Sequence, residues 1–429
     1  MESFLFAVAK ETLEKLRSSG CVEYVDDDET GSVQANVLGT AAANFYLNCQ
    51  TPKQMEFGVK EALKMVLSCL EQNSIEHDSS NDARQTLALR QLVRSARVDE
   101  VSLSWLLYSV CSTHEFDEHP VRHNEEFLNE ELSEQLVWGA DTSGVLAGSG
   151  GSGAYHSIEI FQDPHTKCFL LVQAHLQRAR LPISDYVNDT KMLVENVPRL
   201  LAAMQYIAAE QFRGAAGSFE LLTQFSRSRQ YFETRSLVKE NPMLQLPGIS
   251  ADIVKRLKNV TKSKDAPTTI FELRSLARQE TATLLKRLQS NKTSSNFSVD
   301  EIVGTLYAVP LFQLLRYKVR SETEKSTGKT VGCVHLELQI HRDTPQRKNA
   351  KLAGSLSWTI LLGTYQQKFL LSQSSLRVNR FGRWTISKEL KFPWDVANAD
   401  GGVDGGKMIL RLLAEEVRGF DLEITVNLK

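Results

Sequence analysis

Apolar and polar residues alternate with two different periods along this chain, and the change comes near residue 300. Before that point apolar residues recur every three to four positions, as in GVKEALKMVLSCLEQ (58–72), which predicts amphipathic helices. After it, short runs such as CVHLELQIH (333–341) alternate in a period of two, and Gly, Asn, Asp or Lys separate them. The pattern therefore predicts an α+β chain with helices first and strands last.

The helical part divides into several segments. Phe6, Ala9, Leu13 and Leu16 form a stripe that predicts a first helix, and residues 21–34 are typical of a short acidic hairpin or loop. Helical patterns, LALRQLVRSARV (87–98) among them, fill much of the chain up to the Gly/Ser-rich stretch. The predicted segments are two helical blocks at 38–144 and 158–240, a Gly/Ser linker at 145–157 and a helix-loop-helix unit at 241–298.

Seven short runs follow within residues 299–429, and each is bounded by turn residues. They predict an antiparallel β-sandwich at the carboxyl end. The runs are LFQLLRYKVR, VGCVHLELQIH, SLSWTILLG, KFLLSQSSLRVN, RWTISKELKF, GKMILRLLAEE and FDLEITVNL.

Composition narrows the possible functions. The formal net charge of the 429-residue chain is −2, so any contact with nucleic acid has to come from a local patch. The six cysteines are scattered and show no paired metal-ligand spacing, which is typical of reduced thiols in the nucleus or cytoplasm. No run approaches the roughly 20 apolar residues of a membrane-spanning helix, and we expect no membrane association.

The stretch THEFDEHPVRHNEEFLNEEL (113–132) raises the question of a metal or acid/base site. His114, His119 and His123 lie five and four positions apart, with Pro120 between the second and the third. Proline interrupts a helix, so these rings are not expected to share one helix face. We therefore interpret the stretch as a helix start rather than as a metal site.

In that interpretation Asn124 is the N-cap, and Glu125 and Glu126 lie in the first turn, near the positive end of the helix. Arg122 is placed to bind a neighbouring carboxylate. The side chains expected to point inward are Phe127, Leu128 and Leu132.

The stretch STGKT (326–330) ends like a phosphate-binding loop, but Thr323 stands where that motif needs glycine. The flanking residues predict strand, turn and strand, whereas the motif requires a helix after the loop. We therefore expect no nucleotide site at Lys329. Since no other nucleophile, metal or phosphate motif occurs, the sequence predicts no catalytic residue and no cofactor.

Two basic surfaces are candidates for nucleic-acid binding. In the predicted helix at 184–212, Arg199, Tyr206 and Arg213 are spaced seven apart and share a face if the helix continues that far. The alternative is a solvated face with a Glu195–Arg199 pair. The second surface is a helix that follows a Pro-Gly turn and carries Lys255, Arg256 and Lys258. This pattern is typical of a helix-hairpin-helix element that contacts phosphate, and equally of ordinary solvated surface.

Three stretches together resemble the Sec63 (Brl) domain: EFDEHPVRHNEEFLNEEL, DPHTKCFLLVQAHLQRARLPISDYVNDTK and VPRLLAAMQYIAAEQ. LGTAAANFYLNCQT (38–51) and RGFDLEITVNL (418–428) are also similar to parts of that domain. Residues 1–37 resemble the tail of a winged-helix segment. The signature positions are Arg122, His123, Asn124, Gln173, His175 and Asp189.

The resemblance implies a helical bundle, a helix-loop-helix unit and an immunoglobulin-like (fibronectin type III-like) sandwich. Such modules follow the motors of ATP-dependent superfamily-two RNA helicases that act in splicing or in the activating signal cointegrator complex. Arg199 falls at a position of the bundle's ratchet helix that lines the nucleic-acid channel. However, Ala202 stands where a second basic residue can occur, and Gln211-Phe212-Arg213 replaces the usual Gly-Trp.

The resemblance therefore implies a non-catalytic accessory module that braces a motor, guides RNA and docks proteins. Its expected partners are helicase motor domains in cis or in trans, spliceosomal or signal-cointegrator proteins, and single-stranded RNA. The alternatives are a stand-alone nucleic-acid-binding protein and a protein-translocation component.

Overall fold

The computed structural model describes residues 2–24, 32–74, 89–92, 95–140, 158–260, 267, 269–289, 298–323, 330–344, 354–399 and 406–428. The predicted Gly/Ser linker at 145–157 lies outside them. The chain forms two compact units: Met1–Asp78 with Ser95–Arg235 make unit 1, and Ser79–Arg94 with Ser236–Lys429 make unit 2.

Unit 1 is mainly helical. Its helices are α1 Glu2–Ser18, α2 Val37–Phe45, α3 Thr51–Ser74, α4 Ala96–Cys111, α5 Glu125–Gln135, α6 Pro164–Gln177, α7 Ser184–Gln211 and α8 Ser218–Thr234. Short 3-10 turns occupy His114–Phe116 and Ile158–Gln162. Strands β1 (Val22–Tyr24) and β2 (Val33–Ala35) pair antiparallel, which confirms the predicted hairpin.

Two fully packed helices form the interior of unit 1. Helix α6 begins where the Asp163 carboxylate accepts a hydrogen bond from the Thr166 amide at 2.7 Å, with Pro164 at the first helical position. Ten consecutive or nearly consecutive positions of this helix are buried, so it has no solvated face along most of its length. Helix α8 is buried to a similar extent, and its Arg227 binds Asp99 of α4 at 2.6 Å.

Unit 2 contains two antiparallel sheets. The strands are β3 Arg90–Gln91, β4 Leu311–Thr323, β5 Thr330–Arg342, β6 Leu356–Thr364, β7 Leu370–Val378, β8 Gly382–Pro393, β9 Lys407–Ala414 and β10 Leu422–Asn427. One sheet has the order β3-β10-β9-β6-β7, and the other has the order β4-β5-β8. All seven predicted strands are confirmed as β4 to β10, and their neighbours pair antiparallel.

Strand β3 was not predicted. LALRQLVRSARV was expected to be helical, but Arg90 and Gln91 pair with Glu423 and Leu422 of β10, and α4 begins only at Ala96. The Leu92 amide donates to the Asp421 carbonyl at 2.9 Å, which extends this pairing. The segment therefore belongs to unit 2, although helices of unit 1 flank it in sequence.

The helices of unit 2 are α9 Ala251–Val260, α10 Ile270–Ser275, α11 Arg278–Gln289, α12 Val299–Tyr307 and α13 Trp394–Ala399, with a 3-10 turn at Pro242–Gln245. Helix α12 lies at the start of the segment 299–429 that was expected to form the β-sandwich, before the first predicted strand. Its capping box explains the helix: the Ser298 hydroxyl accepts from the Glu301 amide, and the Glu301 carboxylate accepts from the Ser298 amide.

Both sheets of unit 2 contribute to one hydrophobic core. Trp358 of β6 is fully buried and meets Phe312 of β4 edge-on, with ring centroids 5.1 Å apart. Leu336 and Leu338 of β5 and Leu410 of β9 complete the centre of this cluster. Burial of large apolar side chains at this scale supplies most of the favourable free energy of folding.

Gly39 in α2 allows the closest approach in unit 1, because a Cβ atom there would overlap the backbone carbonyl of Cys21. We expect Gly39→Ala to lower the free energy of unfolding by roughly 1–3 kcal/mol, since overlap with backbone outweighs the better helix propensity of alanine. Chemical denaturation followed by circular dichroism measures the change. Gly214→Ala is the control, because nothing lies within 4 Å of its added methyl group. Equal stability of the two variants would contradict the expectation.

Candidate functional site

Four charged side chains of unit 1 meet inside the helical bundle, and we call them the ion cluster: Arg122, Glu125, Lys167 and Asp189. The centre is the Lys167 ammonium, whose side chain has no solvent-exposed surface. Its Nζ atom lies 2.6 Å from Glu125 Oε2, 2.8 Å from Asp189 Oδ2 and 2.7 Å from the Pro120 carbonyl oxygen. Helices α5, α6 and α7 are thereby joined at one point.

Arg122 closes the ion cluster on its solvent side. Its guanidinium binds Asp189 with two hydrogen bonds of 2.8 and 3.1 Å, and it also donates to Glu125 Oε1 at 2.9 Å. The backbone amide of Arg122 donates to Glu125 Oε2 at 2.8 Å. Two cations and two carboxylates thus neutralise each other, and the bidentate pair fixes the geometry.

Burial and pairing act in opposite directions on the two carboxylates. Burial alone would raise the pKa of Glu125, but hydrogen bonds from Lys167 and Arg122 outweigh it and hold that pKa below its ordinary value. For Asp189, burial again acts to raise the pKa, and hydrogen bonds from Arg122 and Lys167 hold the pKa below its ordinary value. Both groups are therefore ionised at neutral pH.

The helix that begins at Glu125 differs from the predicted capping arrangement. Asn124 is the N-cap residue, but its backbone is left-handed (φ 64°) and its side chain makes no capping hydrogen bond. Glu125 is buried because Lys167 and Arg122 bind its carboxylate. This turns the face with Glu125, Asn129 and Leu132 inward and leaves Phe127 55% exposed, so the prediction that Phe127 points inward was wrong.

Neither His119 nor His123 belongs to a metal-binding group. His123 is exposed, whereas His119 is buried and its Nε2 atom has no hydrogen-bond partner. Burial lowers the pKa of His119, with the Asp189 carboxylate acting in the opposite direction. Within the described ranges, no three His, Cys, Asp or Glu side chains converge in a way that could hold a metal ion.

Two further signature residues connect α6 to its surroundings. Gln173 is fully buried; its Oε1 accepts from the Trp138 amide at 3.1 Å, and its Nε2 donates to the Gly139 carbonyl at 2.7 Å. The ring of His175 packs against Phe232 of α8, with centroids 5.0 Å apart. Gln173 thus fixes the backbone at Trp138 and Gly139, and His175 packs α6 against α8.

Arg199 lies on α7, and its guanidinium is bound to the backbone at the end of α2. Nη1 donates to the Phe45 carbonyl at 2.6 Å and to the Tyr46 carbonyl at 3.0 Å, and Nη2 donates to Asn196 Oδ1 at 3.0 Å. The Glu115 carboxylate lies 3.8 Å away. Arg199 thus makes these contacts and not the Glu195 pair considered above. Its guanidinium supplies donors to carbonyls at the C-terminus of α2, which a helix leaves without an internal partner.

The other two candidates of that helix face make contacts of their own. Tyr206 is half-buried with its ring 5.9 Å from Phe45, while Arg213 lies beyond the helix, which ends at Gln211. Arg213 is exposed and pairs with Glu210 at 3.2 Å. The shared face was predicted on condition that the helix reaches residue 213, and this condition is not met, because the helix ends before Phe212.

The second basic surface lies in unit 2. Lys255 and Arg256 are exposed on α9, and Arg256 Nη1 donates to the Leu288 carbonyl at 3.3 Å. The side chain of Lys258 and residues 261–266 lie outside the described part. Residues 326–329 of the STGKT stretch also lie outside it, and Thr330 begins β5.

Sequence reasoning missed Lys167 and the burial of Glu125. The available signal was a lone lysine at the start of the otherwise apolar CFLLV run, where a buried ammonium needs carboxylate partners. No helix in the described ranges is long and apolar enough to cross a membrane.

Most of the chain matches a known protein family. A family model described as the Sec63 Brl domain matches residues 89–419, and the match begins one residue before β3. The RQC trigger complex helicase SLH1 of Saccharomyces cerevisiae is 24% identical over 336 residues, which are 75% of this chain and 14% of that protein. Activating signal cointegrator 1 complex subunit 3 of Homo sapiens is 27% identical over 269 residues, 62% of this chain and 9% of that protein.

A plant relative likewise matches over only a small share of its own length. The DExH-box ATP-dependent RNA helicase DExH14 of Arabidopsis thaliana is 30% identical over 207 residues, which are 48% of this chain and 7% of that protein. The chain thus spans only a small part of the length of these relatives.

Removing the central cation tests the ion cluster. We expect Lys167→Met to lower the free energy of unfolding by about 3–5 kcal/mol, because Glu125 and Asp189 lose their fully buried cation and are left with the partly exposed Arg122. Lys64→Met is the matched control, since Lys64 is 71% exposed and pairs with Glu61 on the helix surface. It should stay within about 0.5 kcal/mol of the unmodified chain. A small effect of Lys167→Met in denaturant unfolding would show that the cluster adds nothing to stability.

The pH dependence of unfolding should show two acid-sensitive windows. His119 has a lowered pKa, so its contribution is complete above the ordinary value of 6.5 and is lost as the pH falls below it. Glu125 and Asp189 also have lowered pKa values, so their contribution is lost only below their ordinary values of 4.5 and 3.8. Thermal midpoints measured from pH 7 to pH 3 should show both losses.

Each window has its own control. His119→Gln should flatten the upper window, and the neutral triple variant Glu125→Gln/Lys167→Met/Asp189→Asn should flatten the lower one and also shift the upper one, because these charges act on the pKa of His119. Identical pH profiles of the triple variant and the unmodified chain would contradict the assignment.

Proposed function

Since the chain belongs to the Sec63 Brl domain family, we propose that it is a non-catalytic accessory module of a superfamily-two RNA helicase. Its role is to brace the motor domains and to dock other proteins of the complex. The relatives that it matches are named as helicases or helicase-complex subunits, which supports motor domains as partners.

The fixed geometry of the helical unit supports bracing. The ion cluster ties α5, α6 and α7 together, and Arg227 with Tyr231 ties α8 to Asp99 of α4 at 2.6 and 2.8 Å. Such fully paired charges give a helical unit one defined arrangement, because any displacement would expose an unpaired charge in the interior.

The main observation that favours protein docking over guidance of an RNA strand is the binding of Arg199 to backbone carbonyls. A ratchet arginine contacts RNA through a free guanidinium, whereas this one satisfies the end of α2. Tyr206 packs on Phe45, and Arg213 pairs with Glu210, so these two side chains also have partners within the chain. RNA guidance therefore remains a secondary part of the proposal.

The relatives' names support ribosome-associated quality control or the activating signal cointegrator complex as the setting, with splicing as the alternative. We place the module in the nucleus or the cytoplasm. We further propose that β4 to β10 form the immunoglobulin-like sandwich of such modules, after a winged-helix tail at 1–37, a bundle at 38–240 and a helix-loop-helix at 241–298. The two antiparallel sheets around one core support this assignment.

The proposal is tested by capture of the tagged chain from cells of its source organism, with quantitative mass spectrometry of what accompanies it. We expect enrichment of helicase motors and of signal-cointegrator or ribosome-rescue proteins. Enrichment of spliceosomal proteins instead would move the module to splicing. ATP hydrolysis by the purified chain would overturn its non-catalytic role.

Arg199 separates the structural role from RNA contact. We expect Arg199→Gln to reduce stability by roughly 1–3 kcal/mol, because carbonyls at the end of α2 lose their donor, and to leave affinity for RNA unchanged. Anisotropy of a labelled 20-nucleotide oligouridylate at 50 and 200 mM salt measures RNA affinity. Arg213→Gln is the control, with little effect on stability. Strong salt-dependent binding that Arg199→Gln and Lys255→Glu abolish would favour the nucleic-acid alternative.

A further inference from the structure

Strand β4 forms one edge of the three-stranded sheet. It has 13 residues, and among the strands that the structure describes it pairs only with β5, in the order β4-β5-β8. At about 3.3 Å per residue the strand is roughly 43 Å long. Alternate backbone N–H and C=O groups on its free side therefore have no partner within the sheet, and such an edge can accept a further strand.

The outer face of this sheet carries more cations than carboxylates. Leu336, Leu338 and Ile340 of β5 point into the core, so the alternate positions face outward. In the register of the sheet, Lys318 lies beside His335, and Arg320 lies beside Cys333. The outward charged residues are Arg316, Lys318, Arg320, Arg383 and Lys391, against Glu322, Glu337 and Glu389.

Several of these cations are available to a partner. Arg316 binds Glu337 of the neighbouring strand. By contrast, Lys318, Arg320 and Arg383 are exposed and form no ion pair with any residue that the structure describes. Two of the three lie on β4 itself, where an added strand would run. The face therefore complements an acidic segment better than a basic or neutral one.

A cavity of about 270 Å³ lies at the beginning of β4. Its polar lining consists mainly of Gln313, Gln339, His341 and Arg383, and Phe271 contributes apolar surface. His341 Nε2 already lies 3.2 Å from Asp343 Oδ1, which leaves the Arg383 guanidinium and the two amides as the open donors. Such a set of donors fits a carboxylate.

We infer that the edge of β4 binds an extended acidic peptide of a partner protein by strand addition, with one carboxylate held in the cavity by Arg383. The inference rests on the proposed docking function and names the surface and the chemistry of the partner. Backbone hydrogen bonds supply affinity, and alternate acidic side chains facing Lys318 and Arg320 supply specificity. The simpler role of such cations is to keep edges of neighbouring molecules apart, and it requires no affinity for a peptide.

Fluorescence anisotropy of the full chain with a labelled peptide of six Glu-Val repeats tests the inference. We expect saturable binding, weakened about tenfold or more by Lys318→Glu/Arg320→Glu and several-fold by Arg383→Gln. The neutral pair Lys318→Gln/Arg320→Gln should give an intermediate loss, and circular dichroism checks that each variant folds. The matched control is Arg377→Glu/Lys407→Glu, which reverses two exposed cations of the five-stranded sheet and should change the affinity less than twofold.

Two control peptides separate strand addition from simple charge attraction. Six Glu-Pro repeats carry the same charge without the backbone N–H of the alternate residues and should bind at least tenfold more weakly. Six Lys-Val repeats should not bind.

Several results would overturn the inference. They are no binding of the Glu-Val peptide at 1 mM, equal binding of the Glu-Pro peptide, and an equal loss in the control variant. Binding of an oligouridylate to this face, sensitive to Lys318→Glu/Arg320→Glu and without peptide binding, would assign the surface to RNA. If the same variant still captures the helicase proteins from cells, the docking function stands and only this surface is refuted.

Discussion

Buried charge is the constraint on which the helical unit depends. Moving an ammonium or a carboxylate from water into a protein interior costs several kcal/mol per ion, and only a complete set of partners repays that cost. Lys167 shows this most clearly, because its ammonium binds three oxygen atoms. They belong to Glu125 of α5, to Asp189 of α7 and to the Pro120 carbonyl that precedes α5. The positions of α5, α6 and α7 are thus coupled: a shift of any one would break at least one contact between Lys167 and a carboxylate. A second buried ion pair, Arg227 with Asp99, ties α8 to α4 in the same way.

Buried arginines have a related role throughout the molecule. In unit 2, Arg342 donates to the carbonyls of Ala308, Gly354 and Val378 at 2.7, 2.6 and 2.9 Å. Arg418 binds the Ser236 hydroxyl at 2.7 Å and carbonyls of the residues that follow it. Arg199, which is only partly buried, does the same in unit 1. A guanidinium with five donors can satisfy several carbonyl groups that helix ends and turns leave open. Arginine spacing alone is therefore a poor indicator of nucleic-acid contact in this chain.

Strong periodicity made most of the fold predictable. All seven carboxyl-terminal strands follow from short runs bounded by turn residues, many of which alternate, and the principal helices of unit 1 follow from apolar stripes. What was missed depends on distant partners. Strand β3 is two residues long, too short for any periodic signal, and it exists because Glu423 and Leu422 pair with it. At the site, Glu125 has the sequence features of an exposed first-turn carboxylate, and only the approach of Lys167, 42 positions later, makes it a buried one. Local patterns carry no information on such encounters.

The placement of β3 also bears on how this architecture can be inherited. Its residues lie in the sequence of the helical unit, yet they complete the sheet of the other unit beside β10. A gene segment beginning at Ser236 would encode a five-stranded sheet with one strand missing, and a segment ending at Arg235 would carry an orphan strand. Recombination or duplication that keeps both units intact must therefore transfer the helices of unit 1 and the strands of unit 2 together, because unit 1 also includes residues that precede β3. The family match begins at residue 89, one residue before β3.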